Sequence, residues 1–92
     1  MKSLRRYWFR FEPFNKPTPL NLGCGVTAYD TDDAARLLQE RVFIGKVMPK
    51  IVECREDVDL STLDQKHVAP NLGLVTVRGI WFPRGYEETN GI

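Results

Sequence analysis

Apolar and polar residues alternate from Leu4 to Phe11, with Tyr7, Phe9 and Phe11 on one face and Arg6, Trp8 and Arg10 on the other. A period of two predicts a strand. Glu12 to Pro19 carries three prolines and reads as a stiff connecting loop. Alternation resumes over Leu22–Tyr29, where Cys24, Val26 and Ala28 oppose Gly23, Gly25, Thr27 and Tyr29. Glycines inside a strand allow a bulge or the close approach of a neighbour. The period then becomes helical. Asp30 offers an N-cap, Asp32 and Asp33 suit the positive end of a helix dipole, and Ala34, Leu37, Leu38 and Val42 share a stripe. The spacing predicts a helix over 31–43, with Gly45 as its left-handed terminator. Lys50–Arg55 reads as a third strand and Ser61–His67 as a short turn with a capping-box-like Ser-x-x-Asp. Val75–Phe82 reads as a fourth strand, interrupted by Gly79 and closed by Pro83.

These elements predict an α+β fold: a small three- to four-stranded sheet, antiparallel or mixed, with one main helix (31–43) packed on one face. The order is β-β-α-β-(short turn)-β. If the strands at 22–29 and 50–55 lie parallel, their helical crossover is right-handed. The expected core is Tyr7, Phe9, Phe11, Cys24, Val26, Ala28, Leu37, Leu38, Val42, Val52, Cys54 and Ile80. Residues 1–86 are expected to form a single domain, and 87–92, which lack apolar periodicity, a mobile tail.

Composition narrows the function classes. A chain of 92 residues, 42% hydrophobic and 27% charged, builds one modest core. A net charge of +1 gives no global pull toward nucleic acid or membrane. No apolar run reaches the ~20 residues of a membrane span, and Arg10 and Glu12 interrupt the aromatic N-terminal segment too early for a signal-peptide core. Cys24 and Cys54 are therefore expected as reduced thiols in the cytoplasm, ahead of a disulfide.

Charge is distributed unevenly. Residues 1–11 hold Lys2, Arg5, Arg6 and Arg10 with no acid, whereas 53–64 hold five acids against Arg55 alone. The two ends of the fold are thus expected to carry opposite potentials, an arrangement that orients a partner.

Chemistry is sparse by comparison. Leu22-Gly-Cys-Gly25 resembles the opening of the cofactor turn of S-adenosylmethionine-dependent methyltransferases. Asn21 stands where that turn needs an acid and Thr27 where it needs a third glycine. The helix begins too late to meet a ligand at Gly25, and the chain is too short for a doubly wound sheet. No cofactor is implied. His67, the single histidine, shares no ligand-like spacing with either cysteine, and Asp57-Val58-Asp59 lacks a second cluster to complete an oxygen shell. No catalytic or metal-ligating residue is assigned, and the chain is read as not an enzyme.

The stretch Arg78-Gly-Ile-Trp-Phe-Pro-Arg-Gly-Tyr86 is the most distinctive. If it is extended, Trp81 and Phe82 point to opposite faces, so one ring enters the core and the other lies outside. Which ring does which stays open. Tyr7-Trp-Phe-x-Phe11, Leu22-Gly-Cys-Gly-Val-Thr-Ala-Tyr-Asp30 and Arg78-Gly-Ile-Trp-Phe-Pro83 together resemble a group of small uncharacterised bacterial proteins. That resemblance covers about residues 6–86 and implies a bacterial origin but no activity.

The reading that follows is a non-catalytic protein-binding module, of an accessory, inhibitor or immunity type. Its open face would present Arg6, Arg10, Trp8, Trp81 and Tyr86, with Asp57 and Asp59 steering a basic partner. On that reading, Trp81→Ala weakens binding and spares the fold. The partner is an unidentified protein. A homodimer through the open face is a second option, and nucleic acid held by the basic, aromatic first strand is the alternative from another class. No membrane association is expected.

Overall fold

The computed structural model describes residues 3–86. It contains four strands, β1 (Arg5–Phe11), β2 (Cys24–Ala28), β3 (Ile51–Glu56) and β4 (Gly79–Phe82). One main helix, α1 (Thr31–Leu37), runs on without a break into a π-helical turn, Leu38–Val42. The sheet order is β3-β1-β2-β4, with every neighbouring pair antiparallel. The fold is α+β. Strands β2 and β3 run parallel to each other, but β1 lies between them, so the α1 crossover spans three strands.

Local chemistry accounts for the helix. The Asp30 carboxylate accepts from the Asp33 N–H at 2.8 Å, and the Asp33 carboxylate accepts from the Tyr29 N–H at 3.1 Å. These two acids satisfy amide donors that the helix start would otherwise leave bare. The far end widens by one residue, with the Phe43 N–H donating to the Leu38 carbonyl at 2.9 Å. Gly45, at φ 68°, then turns the chain as the sequence suggests.

Ala34, Leu37 and Leu38 pack with Tyr7, Phe9, Phe11, Cys24, Val26, Ala28 and Ile80 in a first core, joined by Leu20 and Phe43. Three expected core positions need correction. Val42 is only half-buried, whereas Val52 and Cys54 are exposed. All the other expected core residues are buried. The physical reason is position: β3 is an edge strand, and a single short helix cannot cover the full width of a four-stranded sheet.

The opposite face of the sheet is not open. Val58, Leu63 and Val68, with Leu60, Leu72 and Val75 at the margin, close over Trp8, Trp81 and Phe82 to form a second core. The covering segment is irregular, with 3-10 turns at Leu60–Thr62 and Ala69–Asn71 in place of the single turn expected at 61–67. Asp59, rather than the Ser61-x-x-Asp64 box, caps the first of them by accepting from the Ser61 N–H at 2.9 Å. Strand β4 is also shorter than expected. Residues 75–78 are a turn, pinned by the Thr27 hydroxyl, which donates to the Val75 carbonyl at 2.6 Å. The tail expected at 87–92 lies outside the described residues. Among those described, no helix is long and apolar enough to cross a membrane.

Candidate functional site

The structure relocates the aromatic residues first assigned to a binding face. Trp8 is 4% exposed and Trp81 is 0% exposed, with ring centroids 6.0 Å apart. Phe82 lies on the same side, its centroid 5.7 Å from that of Trp8. The expectation that Trp81 and Phe82 split between two faces fails because the register of β2 against β4 shifts at Gly25/Val26. A bulge lets consecutive side chains share one face. The glycines of the Leu-Gly-Cys-Gly stretch have the same explanation. A Cβ at Gly25 would stand 2.4 Å from the Trp81 ring, and one at Gly23 would stand 2.4 Å from the Trp8 ring. They make room for indoles. Tyr86 is half-buried against the first core.

The charged candidates pair across the sheet instead of forming two opposed poles. The Arg10 guanidinium lies 2.9 Å from Glu53, its direct partner across β1 and β3. Arg5 reaches Asp57 through Nε at 3.0 Å and Glu56 through Nη2 at 3.3 Å. That contact holds the Asp57 carboxyl below the usual carboxylate range. Arg6 donates from Nε to the Val58 carbonyl at 3.3 Å. Asp59 is spent on Ser61, whose hydroxyl and N–H both donate to it and lower its pKa. The opposite potentials expected at the two ends are therefore largely cancelled, because β1 and β3 are neighbours. Arg5, Arg6 and Asp57 do share a cleft of about 260 Å³ with Leu4, Thr27 and Val75. Both of its arginines are engaged, Arg5 by Asp57 and Glu56 and Arg6 by the Val58 carbonyl.

The candidate reactive groups sit apart. Cys24 is fully buried, which pushes its thiol pKa far up, and Cys54 is exposed. His67 lies in the covering segment, its Nδ1 3.1 Å from the Asp64 carboxylate and the pair open to solvent. The N–H groups of His67 and Lys66 hold Asp64 at about 2. Among the described residues, no three His, Cys, Asp or Glu side chains cluster in a way that could hold a metal ion.

What the structure does present is a loop that the sequence reading passed over. Phe43 is anchored in the core, edge-on to Phe11 at 5.3 Å and stacked on Phe14 at 6.5 Å. The Lys46 N–H returns to the Phe43 carbonyl at 3.1 Å, closing a turn through Ile44 and Gly45. Gln39, projecting from the π-helical turn, donates to the Phe43 and Lys46 carbonyls at 2.7 Å each and clamps both ends of that turn. Met48 packs back onto the core. Between these anchors Ile44 is 69% exposed and Val47 is 94% exposed. Lys46, within the turn, and Lys50, after it, are exposed; Glu40 is exposed before it, and the Glu12 N–H donates to the Lys50 carbonyl at 3.0 Å. An isolated exposed aliphatic is ordinary; here two lie on one clamped turn. The available signal was Ile44-Gly-Lys-Val47, apolar positions with no period to assign them to a buried face.

Other exposed apolar positions and the sheet edges are less suited to docking. Leu74 and Val77 are exposed too, but the neighbouring cation, Arg78, is held by Asp33. Strand β3 carries a register shift opposite Arg10/Phe11 and the charges of Glu53, Arg55 and Glu56, both of which discourage edge pairing. On β4 the Trp81 carbonyl already accepts from the Gly73 N–H at 2.8 Å.

No protein family, curated protein or solved structure matches this chain.

Proposed function

We propose that this chain is a small, non-catalytic protein-binding module that docks through the turn bearing Ile44 and Val47. The observation that carries the reading is the clamp. Gln39 and the buried Phe43 fix a turn whose only outward side chains of size are two aliphatics and a lysine. A turn fixed before binding loses little entropy when a partner covers it, so most of the burial energy goes to affinity. Trp8 and Trp81 have no part in this docking surface; they stabilise the fold that displays it. The reading assigns the protein to the bacterial cytoplasm, where an exposed thiol such as Cys54 stays reduced.

Nucleic-acid binding through β1 has weaker support. Arg5 and Arg10 are engaged by acids and the Trp8 ring is covered, so neither phosphate pairing nor base stacking is ready-made there.

The test is site-specific photo-cross-linking in the host cell, with the probe at position 44, 47 or 66. Lys66 is also exposed but lies on the covering segment. Discrete protein adducts from 44 and 47, without the same adducts from 66, are expected. An adduct of twice the chain mass identifies the partner as a second copy. Absence of adducts from 44 and 47 overturns the reading.

A further inference from the structure

We infer that the free edge of β3 pairs antiparallel with β3 of a second copy of this chain, in the register that sets Cys54 against the partner's Cys54. The inference is independent of the docking role proposed above. Strand β3 is last in the sheet order and pairs with β1 alone. The Val58 N–H donates to the Arg6 carbonyl and the Glu12 N–H to the Lys50 carbonyl, so Arg6, Trp8 and Arg10 turn their backbone toward β3. Backbone groups alternate sides along a strand. Arg55 and Glu53, opposite Trp8 and Arg10, therefore bond inward, and Val52, Cys54 and Glu56 bring their N–H and C=O groups to the free edge. A twofold antiparallel pair sets one residue against itself, and the charges choose which. Centred on Glu53 or on Arg55, the pair brings like charges together. Centred on Cys54, it places each Glu53 directly across from the partner's Arg55, two opposite-charge pairs on the face of the second core. Both side chains have capacity for this contact. Glu53 meets Arg10 through Oε1 and Arg55 meets Thr62 through Nη2, which leaves a carboxylate oxygen and further guanidinium donors. The charges that keep foreign strands off β3 thus admit its own copy. On the other face Val52, 51% exposed beyond the reach of α1, would lie diagonal to the partner's Cys54 and be covered. The register shift at Arg10/Phe11 falls at the Ile51 end, outside 52–56.

Analytical ultracentrifugation over a range of concentrations tests this, on the parent and on two charge reversals, Glu53→Arg and Arg55→Glu, each checked for folding by circular dichroism. The parent is expected to approach twice the chain mass as concentration rises. Each reversal alone sets like charges across the axis and should weaken dimerisation at least about tenfold. An equimolar mixture of the two restores both opposite-charge pairs and should recover the dimer. A short bismaleimide, each thiol adding across one of its double bonds, should join the parent dimer through Cys54, because directly opposite residues lie about 5.5 Å apart between Cα atoms. Cys54→Ser should dimerise without being joined. A parent that stays monomeric at about 1 mM overturns the inference. So do folded reversals that dimerise like the parent, or a mixture of them that stays monomeric. If a reversal fails to fold, the thiols decide, and a parent dimer that the bismaleimide does not join at Cys54 overturns the inference. A dimer lost in Val47→Asp but kept in both reversals also overturns it and places the contact at the turn.

Discussion

The six-membered ring of Trp81 occupies the space that a side chain at Gly25 would need: Cζ3 of the ring would lie 2.4 Å from a Cβ built there. The contact explains why a strand at the centre of the sheet tolerates a glycine. Gly25→Ala should therefore destabilise the protein by about 1–3 kcal/mol through overpacking alone, read as a lower denaturation midpoint. Gly45→Ala, at a left-handed position with open space around it, should cost about 1 kcal/mol from backbone strain. A neutral Gly25→Ala would contradict the packing described.

Removing the indole is more damaging. Trp81→Ala should cost about 3–5 kcal/mol, a large share of the roughly 5–15 kcal/mol that holds a small domain together. Loss of the folded spectrum, rather than the selective loss of binding expected of a surface tryptophan, is the predicted outcome. Trp81→Phe should be milder. The Trp81 Nε1 is buried without a hydrogen-bond partner, so the smaller ring also removes an unsatisfied donor.

Arg78 closes on Asp33 from 45 residues away, its Nε 2.9 Å from the carboxylate, and this contact lowers the Asp33 pKa from 3.8 to about 2. A carboxyl depressed in the folded state contributes stability above its unfolded pKa and loses it as pH falls. Stability should thus decline between about pH 4 and pH 2. Asp33→Asn should be less stable at neutral pH and show a shallower acid decline than the parent. Urea titrations at a series of acidic pH values measure both. Identical acid slopes would show that the Arg78 contact is not holding that carboxyl down.

The two thiols should differ sharply in reactivity. Cys54 is exposed and should take up one equivalent of a maleimide in the native protein, faster as pH rises because partial burial and Glu56 raise its pKa. Cys24 should react only on unfolding. Mass spectrometry before and after urea distinguishes one adduct from two; two adducts on the native protein would contradict the first core.

Much of the fold was legible because its signals are local. The alternation at Tyr7, Phe9 and Phe11 marked β1, and the acids at 30, 32 and 33 marked the start of the helix. What stayed hidden depends on tertiary placement. Val52 and Cys54 alternate like a buried strand, but nothing in that pattern says β3 lies at an edge beyond the reach of the helix. Val58, Leu63 and Val68 have no period, because an irregular segment satisfies its backbone through side-chain caps such as Asp59 and Asp64. Its burial over Trp8 and Trp81 is decided by the sheet. The candidate docking turn was missed for the converse reason. Ile44 and Val47 look like core residues by type, and only the geometry set by Gln39 and Phe43 turns them outward.

Docking through Ile44 and Val47 is the proposed role. Its most direct measurement is methyl NMR of the labelled protein in concentrated extract of its host, compared with buffer. Leu74 and Val77, at 74% and 53% exposure, serve as internal controls for non-specific stickiness. The account predicts selective broadening or shifting of the Ile44 and Val47 methyls, relieved in Val47→Asp, with Leu74 and Val77 unchanged. Broadening at Leu74 and Val77 with sharp Ile44 and Val47 signals, or no change at any of the four, would contradict it.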